Sequence, residues 1–147
     1  MLVLSRSHYQ EMLDQARSGS PKEVCGLIAG EDKAQLRVIK KIYPLKNMDD
    51  SAEHFAMDPR EQFTAVKDMR YNKLTLLGNY HSHPASPARP SQEDIRLAFD
   101  AGASYLILSL AQEQAPVLRG FRIQNGEVEE ETIKIVEGNE TDGASRL

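Results

Sequence analysis

The sequence contains a single cysteine, Cys25, and no tryptophan. One cysteine closes no disulfide within the chain and builds no multi-cysteine metal site. The short apolar start MLVL has no basic segment ahead of it, so no secretory signal is read and a reducing, cytoplasmic compartment is expected. No apolar run approaches the ~20 residues that a membrane-spanning helix requires, so no membrane association is expected. Aromatic residues make up only 6% of the chain, too few for a base-stacking platform. A basic excess is missing as well. Residues 127–147 hold seven acids against Lys134 and Arg146, so the rest of the chain stands at +1 within a net charge of −4. A near-neutral body lacks the electrostatic footprint of a nucleic-acid binder, which excludes nucleic acid as the expected partner.

What is present is an ordinary globular composition, 40% hydrophobic and 27% charged over 147 residues, the size of one domain. Ser5 can cap a helix in which Tyr9, Met12, Leu13 and Ala16 recur at helical spacing, with Gly19-Ser20-Pro21 ending it. Val24 to Ala29 reads as a buried strand, and Leu36 to Tyr43 as a second strand stopped by Pro44. Asp58-Pro59 opens a second helix, with Phe63, Val66 and Met69 or Arg70 on one side. Leu74 to Tyr80 is a strand leading into His81-Ser82-His83-Pro84. Ser91 starts a third helix that runs to Gly102 and turns Ile95, Ala98 and Phe99 inward. Tyr105 to Leu110 suits a central strand, and Val117–Ile123 and Val128–Val136 flank the hairpin signal Asn125-Gly126. The sum is an α/β domain with a mixed, α+β-like sheet of about six strands and three helices over residues 1–137. Residues 138–147 read as a flexible polar tail.

The chemistry concentrates in few residues. His81 and His83 are two apart at the end of a strand, so alternation puts both imidazoles on one face. Zinc takes imidazole nitrogens and carboxylate oxygens, and a catalytic site uses three protein ligands with one place left for water. Asp94, in the first turn of the helix after Ser91, is the third candidate, and Pro84, Pro87 and Pro90 stiffen the intervening loop. An HxH pair alone is a weak signal, and Ser91 to Asp94 also reads as a plain helix cap. The cap accounts for Ser91 and Asp94 but leaves the paired histidines unexplained, and the two readings are compatible. A hydrolytic site also needs a proton acceptor for its water. Glu23, directly before the apolar run VCGLIAG, is the candidate, although on pattern alone it reads first as a surface glutamate after Lys22.

Glu23 with CGLIAG, then Gly78-Asn79-Tyr80-His81-Ser82-His83-Pro84, then Ser91-Gln92-Glu93-Asp94, resembles the JAMM (MPN-plus, Mov34/PAD-1-like) zinc metalloproteases. The family signature is a distant Glu, H-[S/T]-H-P, six residues and S-x-x-D, and Ala85 to Pro90 supplies the six. Asn47 and Phe55 to Pro59 also look like the stretch that precedes the family's second helix. The resemblance covers about residues 1–136 and is to the small, stand-alone prokaryotic type. It implies a curved or barrel-like sheet flanked by helices, Zn2+ on His81, His83 and Asp94, Glu23 as general acid/base, and Ser91 as an oxyanion donor. The implied reaction is amide or isopeptide hydrolysis at the C-terminal tail of a ubiquitin-like or sulfur-carrier protein. Tyr80 departs from the Trp of many relatives but keeps an aromatic ring.

Three other functions compete. A catalytically silent interaction scaffold is set against by the intact Glu23, His81, His83 and Asp94. An HxH amidohydrolase barrel needs ~250 residues, and a zinc deaminase needs paired cysteines. Among the remaining residues, Cys25 shares a strand face with Glu23 but reads first as a small buried hydrophobe. His54 and Arg89 read as solvated loop residues, and His8 as a helix-surface residue. The acidic run after Gly126 reads as a solvated strand edge. The sequence assigns no oligomeric state.

Overall fold

A computed structural model describes residues 1–137; the expected polar tail, 138–147, lies outside the described residues. Its strands are β1 (Leu2–Ser5), β2 (Cys25–Lys33), β3 (Leu36–Leu45), β4 (Thr75–His83), β5 (Ser104–Ser109), β6 (Val117–Gln124), β7 (Glu127–Glu131) and β8 (Ile133–Val136). Its helices are α1 (Arg6–Gly19), α2 (Pro59–Tyr71) and α3 (Gln92–Arg96). The strands form one mixed sheet in the order β7-β6-β5-β4-β2-β3-β1-β8. The two end strands are separated in sequence by Thr132 alone. One run of chain therefore pairs antiparallel with β6 through β7 and parallel with β1 through β8, rolling the sheet into a nearly closed barrel.

The β2 strand shows how the layers are assigned. Gly26 and Ile28 face one way, while Cys25, Leu27 and Ala29 face the other, following the alternation of a strand. Ile28 joins Leu4, Met12, Leu13, Ile39, Tyr80 and Leu106 in the main core under α1. Cys25, Leu27 and Ala29 join Ala65 and Met69 of α2 on the opposite face. Gly26 is required by close approach: a Cβ there would lie 2.3 Å from Cζ of Tyr80. The Tyr80 hydroxyl donates to Gln15 Oε1 at 2.6 Å, and Gln15 Nε2 donates to the Cys25 carbonyl at 3.0 Å, tying α1 to the two central strands.

The caps of the first two helices lie where the sequence places them. Ser5 Oγ accepts from His8 N at 3.1 Å, and Asp58 caps α2 with Pro59 in its first turn. Several expectations are corrected. Eight strands form rather than about six: β1 adds one, and the expected strand 128–136 is broken in two at Thr132. The β3 strand continues through Pro44, which pairs with Gly26. The neighbouring β1 covers only Arg37 and Val38 of β3, so Pro44 lies at a strand end where its missing N–H breaks no ladder on that side. In α2 the inner stripe is Ala65 and Met69, and Phe63 is 66% exposed. The third helix stops at Arg96 instead of Gly102, and Phe99, expected inside, is 86% exposed. There the Asp100 carboxylate accepts from Gly102 N at 2.9 Å, a side-chain turn that competes with the helix. Among the described residues no helix is long and apolar enough to cross a membrane.

Candidate metal centre

The centre lies where β4 ends, on the sheet face away from α1. Alternation turns His81 and His83 to this face, with ring centroids 4.9 Å apart, and sends Ser82 to the other. Ser82 is not idle there: its Oγ accepts from Val24 N at 2.9 Å and its N–H donates to the Val24 carbonyl at 3.0 Å. The strand end is thereby fastened to the residue after Glu23. Both histidines are buried, 3% and 5% exposed.

Asp94 arrives from the first turn of α3, fixed by a reciprocal cap. Asp94 N donates to Ser91 Oγ at 3.0 Å, and Ser91 N donates to Asp94 Oδ2 at 2.9 Å. The same Oδ2 lies 3.2 Å from Nε2 of His81 and 3.2 Å from Nε2 of His83, and the two Nε2 atoms are 3.1 Å apart. Ligands bound tetrahedrally at about 2.0–2.2 Å stand about 3.3–3.5 Å from one another, so this triangle has the size of one face of such a site. His83 Nδ1 donates to the Pro87 carbonyl at 2.8 Å, which fixes its tautomer and leaves Nε2 as a lone-pair donor. One proton can bridge only one edge of a triangle of three electron-pair donors, whereas a cation satisfies all three. The donor set therefore fits a divalent metal.

Glu23 stands beside this triangle, 5% exposed, and one of its carboxylate oxygens, Oε1, is buried without a hydrogen-bond partner. Donor atoms of Glu23, His81 and His83 all lie within 4.8 Å of one another. Burial is the main reason that the Glu23 carboxyl is pushed up to about 7, with neighbouring Asp94 adding to the rise and His83 opposing it. Burial also holds His81 below the ordinary imidazole value. For His83 burial works downward too, but hydrogen bonds to Asp94 and Pro87 outweigh it and the net shift is upward. Burial would raise Asp94, yet its contacts with both imidazoles take it well below the usual carboxylate range.

The fold brings Glu23, His81, His83, Ser91 and Asp94 together. The resemblance picks out Asn47 and Phe55 to Pro59, but nothing in the sequence shows what the 46–57 segment touches. Phe55 stacks on His81, with centroids 4.6 Å apart and planes at 25°. His54, read as a solvated loop residue, pairs through Nδ1 with Glu93 of α3. Between the segment and α3 lies a cleft of about 190 Å³ lined by Phe55, Met57, Asn79, Leu97 and Ile107 and reaching His81 and Asp94. Cys25 does not line it. Its thiol faces the carbonyls of Leu45 and Lys46, and burial pushes it up to about 12, so it acts as a packed hydrophobe. Arg89 is exposed in the proline loop, and His8 lies on α1, against the opposite face.

Residues 5–124 match the family described as prokaryotic homologues of the JAB domain. The chain belongs to that family. This JAB domain is similar to the CysO-cysteine peptidase of Mycobacterium tuberculosis, 31% identical over 137 residues, 93% of this chain and 92% of that one. It is 34% identical to a desampylase of Pyrococcus furiosus over 88 residues, 60% of each chain. A Desulfitobacterium hafniense protein of known solution structure is 54% identical over 94% of both chains, with a TM-score of 0.88. A JAB1/MPN domain protein from Archaeoglobus fulgidus shares the JAB fold at 22% identity and a TM-score of 0.60, over 93% of this chain and all of that one.

Proposed function

We propose that this JAB domain is a zinc metallopeptidase that hydrolyses an amide or isopeptide bond at the C-terminal tail of a ubiquitin-like or sulfur-carrier-type protein. One observation carries the reading: an unpaired, buried Glu23 oxygen beside the triangle of His81 Nε2, His83 Nε2 and Asp94 Oδ2. Relatives named as a CysO-cysteine peptidase and a desampylase support the substrate class. Two imidazoles and one carboxylate are a donor set that suits zinc among the divalent ions. The chemistry supplied at such a site is Lewis acidity, which activates water and polarises a carbonyl.

The residues of the chain do the rest. Glu23, buried beside the triangle with an unpaired carboxylate oxygen, accepts a proton from the attacking water at that oxygen and returns it to the departing amine nitrogen. Ser91 Oγ already accepts from Asp94 N, so its hydroxyl proton is left to donate to the oxygen of the cleaved carbonyl. The cleft beside His81 takes the extended tail and keeps bulk water from the reacting atoms. The buried thiol of Cys25 suits a reducing compartment, and we assign the reaction to the cytoplasm. The test is incubation of the zinc-loaded protein with sulfur-carrier and ubiquitin-like proteins bearing C-terminal extensions, read by mass spectrometry. Cleavage at the carrier terminus that is lost in Glu23→Gln supports the reading. A zinc-loaded protein that binds carriers but leaves every extension intact would make it a silent scaffold.

A further inference from the structure

Glu23 precedes β2, and its own main-chain hydrogen bonds run to the 46–57 segment. Its N–H donates to the Ser51 carbonyl at 2.8 Å, and its carbonyl accepts from Asn47 Nδ2 at 3.0 Å. The base of the reaction is therefore set in place by a loop, and the loop is organised around one side chain. Asn47 Nδ2 also donates to the His54 carbonyl at 2.9 Å, while Asn47 Oδ1 accepts from Asp49 N and Ala56 N, both at 3.0 Å. Two carbonyls on the nitrogen and two N–H groups on the oxygen use the amide's full primary capacity and fix which way it points. The carbonyl of Ala56 in turn accepts from Met48 N at 2.8 Å, so the segment closes on itself around Asn47. This same loop carries Phe55 onto His81 and His54 onto Glu93, next to Asp94.

From this geometry we infer that Asn47 is a positioning residue for Glu23: its amide holds the main chain of the base to the loop that packs on His81. The inference rests on the proposed hydrolase reading for its kinetic consequence but not for its structural one. A side-chain shift of about 1 Å at the reacting atoms is enough to cost on the order of 10²-fold in rate. Asn47→Asp is nearly isosteric and keeps the acceptor, yet it loses both donors and sets a charge against the Glu23 and His54 carbonyls.

The experiment has two arms on the full chain. Hydrogen exchange of the Glu23 amide, followed by NMR on the zinc-loaded protein, should be at least about tenfold faster in Asn47→Asp than in the wild type. Cleavage of a carrier fusion should show kcat lowered roughly 10- to 100-fold with KM changed less than about threefold and zinc content equal to that of the wild type. In a Glu23→Gln background, Asn47→Asp should lower the residual rate no further, because its effect passes through Glu23. A general structural lesion would instead multiply the two losses or strip the metal, and either result overturns the inference. Unchanged Glu23 exchange overturns it too, as does a kcat within twofold of wild type. If wild type cleaves nothing, the hydrolase reading fails, and the exchange arm alone decides the role of Asn47. If Asn47→Asp does not fold, the neutral Asn47→Ser, which keeps one donor, goes through the same comparisons.

Discussion

Phe55 lies flat against His81, its ring centroid 4.6 Å from that of the imidazole, while Nδ1 of His81 is buried without a hydrogen-bond partner. His83 differs, since the Pro87 carbonyl holds its Nδ1. The two members of the HxH pair are thus oriented by different means, one by a hydrogen bond and one by stacking.

Phe55→Ala should therefore weaken metal binding through His81 alone, on the order of tenfold, as outer-shell losses do. Competition against a graded series of chelators would measure it. Phe55→Tyr, which keeps the ring face, should bind metal like the wild type. Equal affinity in Phe55→Ala would show that strand packing alone holds the imidazole.

Glu23 gives a pH prediction for the metal-free protein. Its folded value of about 7 exceeds the ordinary 4.5, and burial is the cause. Between those values the folded carboxyl keeps a proton that the unfolded one has released, so its contribution to stability falls as pH rises through that window. Glu23→Gln removes this term. After allowance for solvent screening, the variant should gain about 1–2 kcal/mol over the wild type at pH 8. At pH 4 the two should differ little from this cause. Urea titrations in chelator at both pH values would check the sign.

Metal removal should loosen the fold, because three mutually facing donors lose the ion that reconciles them. Free zinc at 100 times its Kd should stabilise the protein by about 2.7 kcal/mol, read as a rise in Tm. His81→Ala and Asp94→Ala should abolish most of that rise. Should both retain it, the ion binds elsewhere.

Ser91→Ala removes an N-cap and the acceptor for Asp94 N, which should cost about 1 kcal/mol of stability. Turnover should fall further than metal affinity, since the hydroxyl donor is lost as well. Ser91→Thr keeps cap and hydroxyl and should restore both.

The parts of this molecule that follow a short-range rule were legible in the sequence. Strand alternation alone places His81 and His83 on one face, and the Ser91 cap alone places Asp94 in a first turn. The Asn125-Gly126 turn has φ of 52° and 80°, as the hairpin signal requires. The illegible parts depend on distant partners. Asn47 meets Glu23 across 24 residues and His54 meets Glu93 across 39, through a carbonyl and an exposed imidazole that no periodicity marks. Helical spacing puts Phe63 on one side of α2 with Val66 and turns Phe99 inward, yet both rings are exposed. In α2 the small Ala65 faces the sheet instead, and beyond α3 the Asp100 turn leads the chain outward.

The interruption at Thr132 has a consequence for how the sheet margins are covered. A protein truncated before Glu127 would leave β6 and β1 each with an open row of amides and carbonyls, two sticky margins on one sheet. The β7 and β8 strands cover both margins at once, so a nascent chain remains prone to mispairing there until residues 127–136 have emerged and paired with β6 and β1.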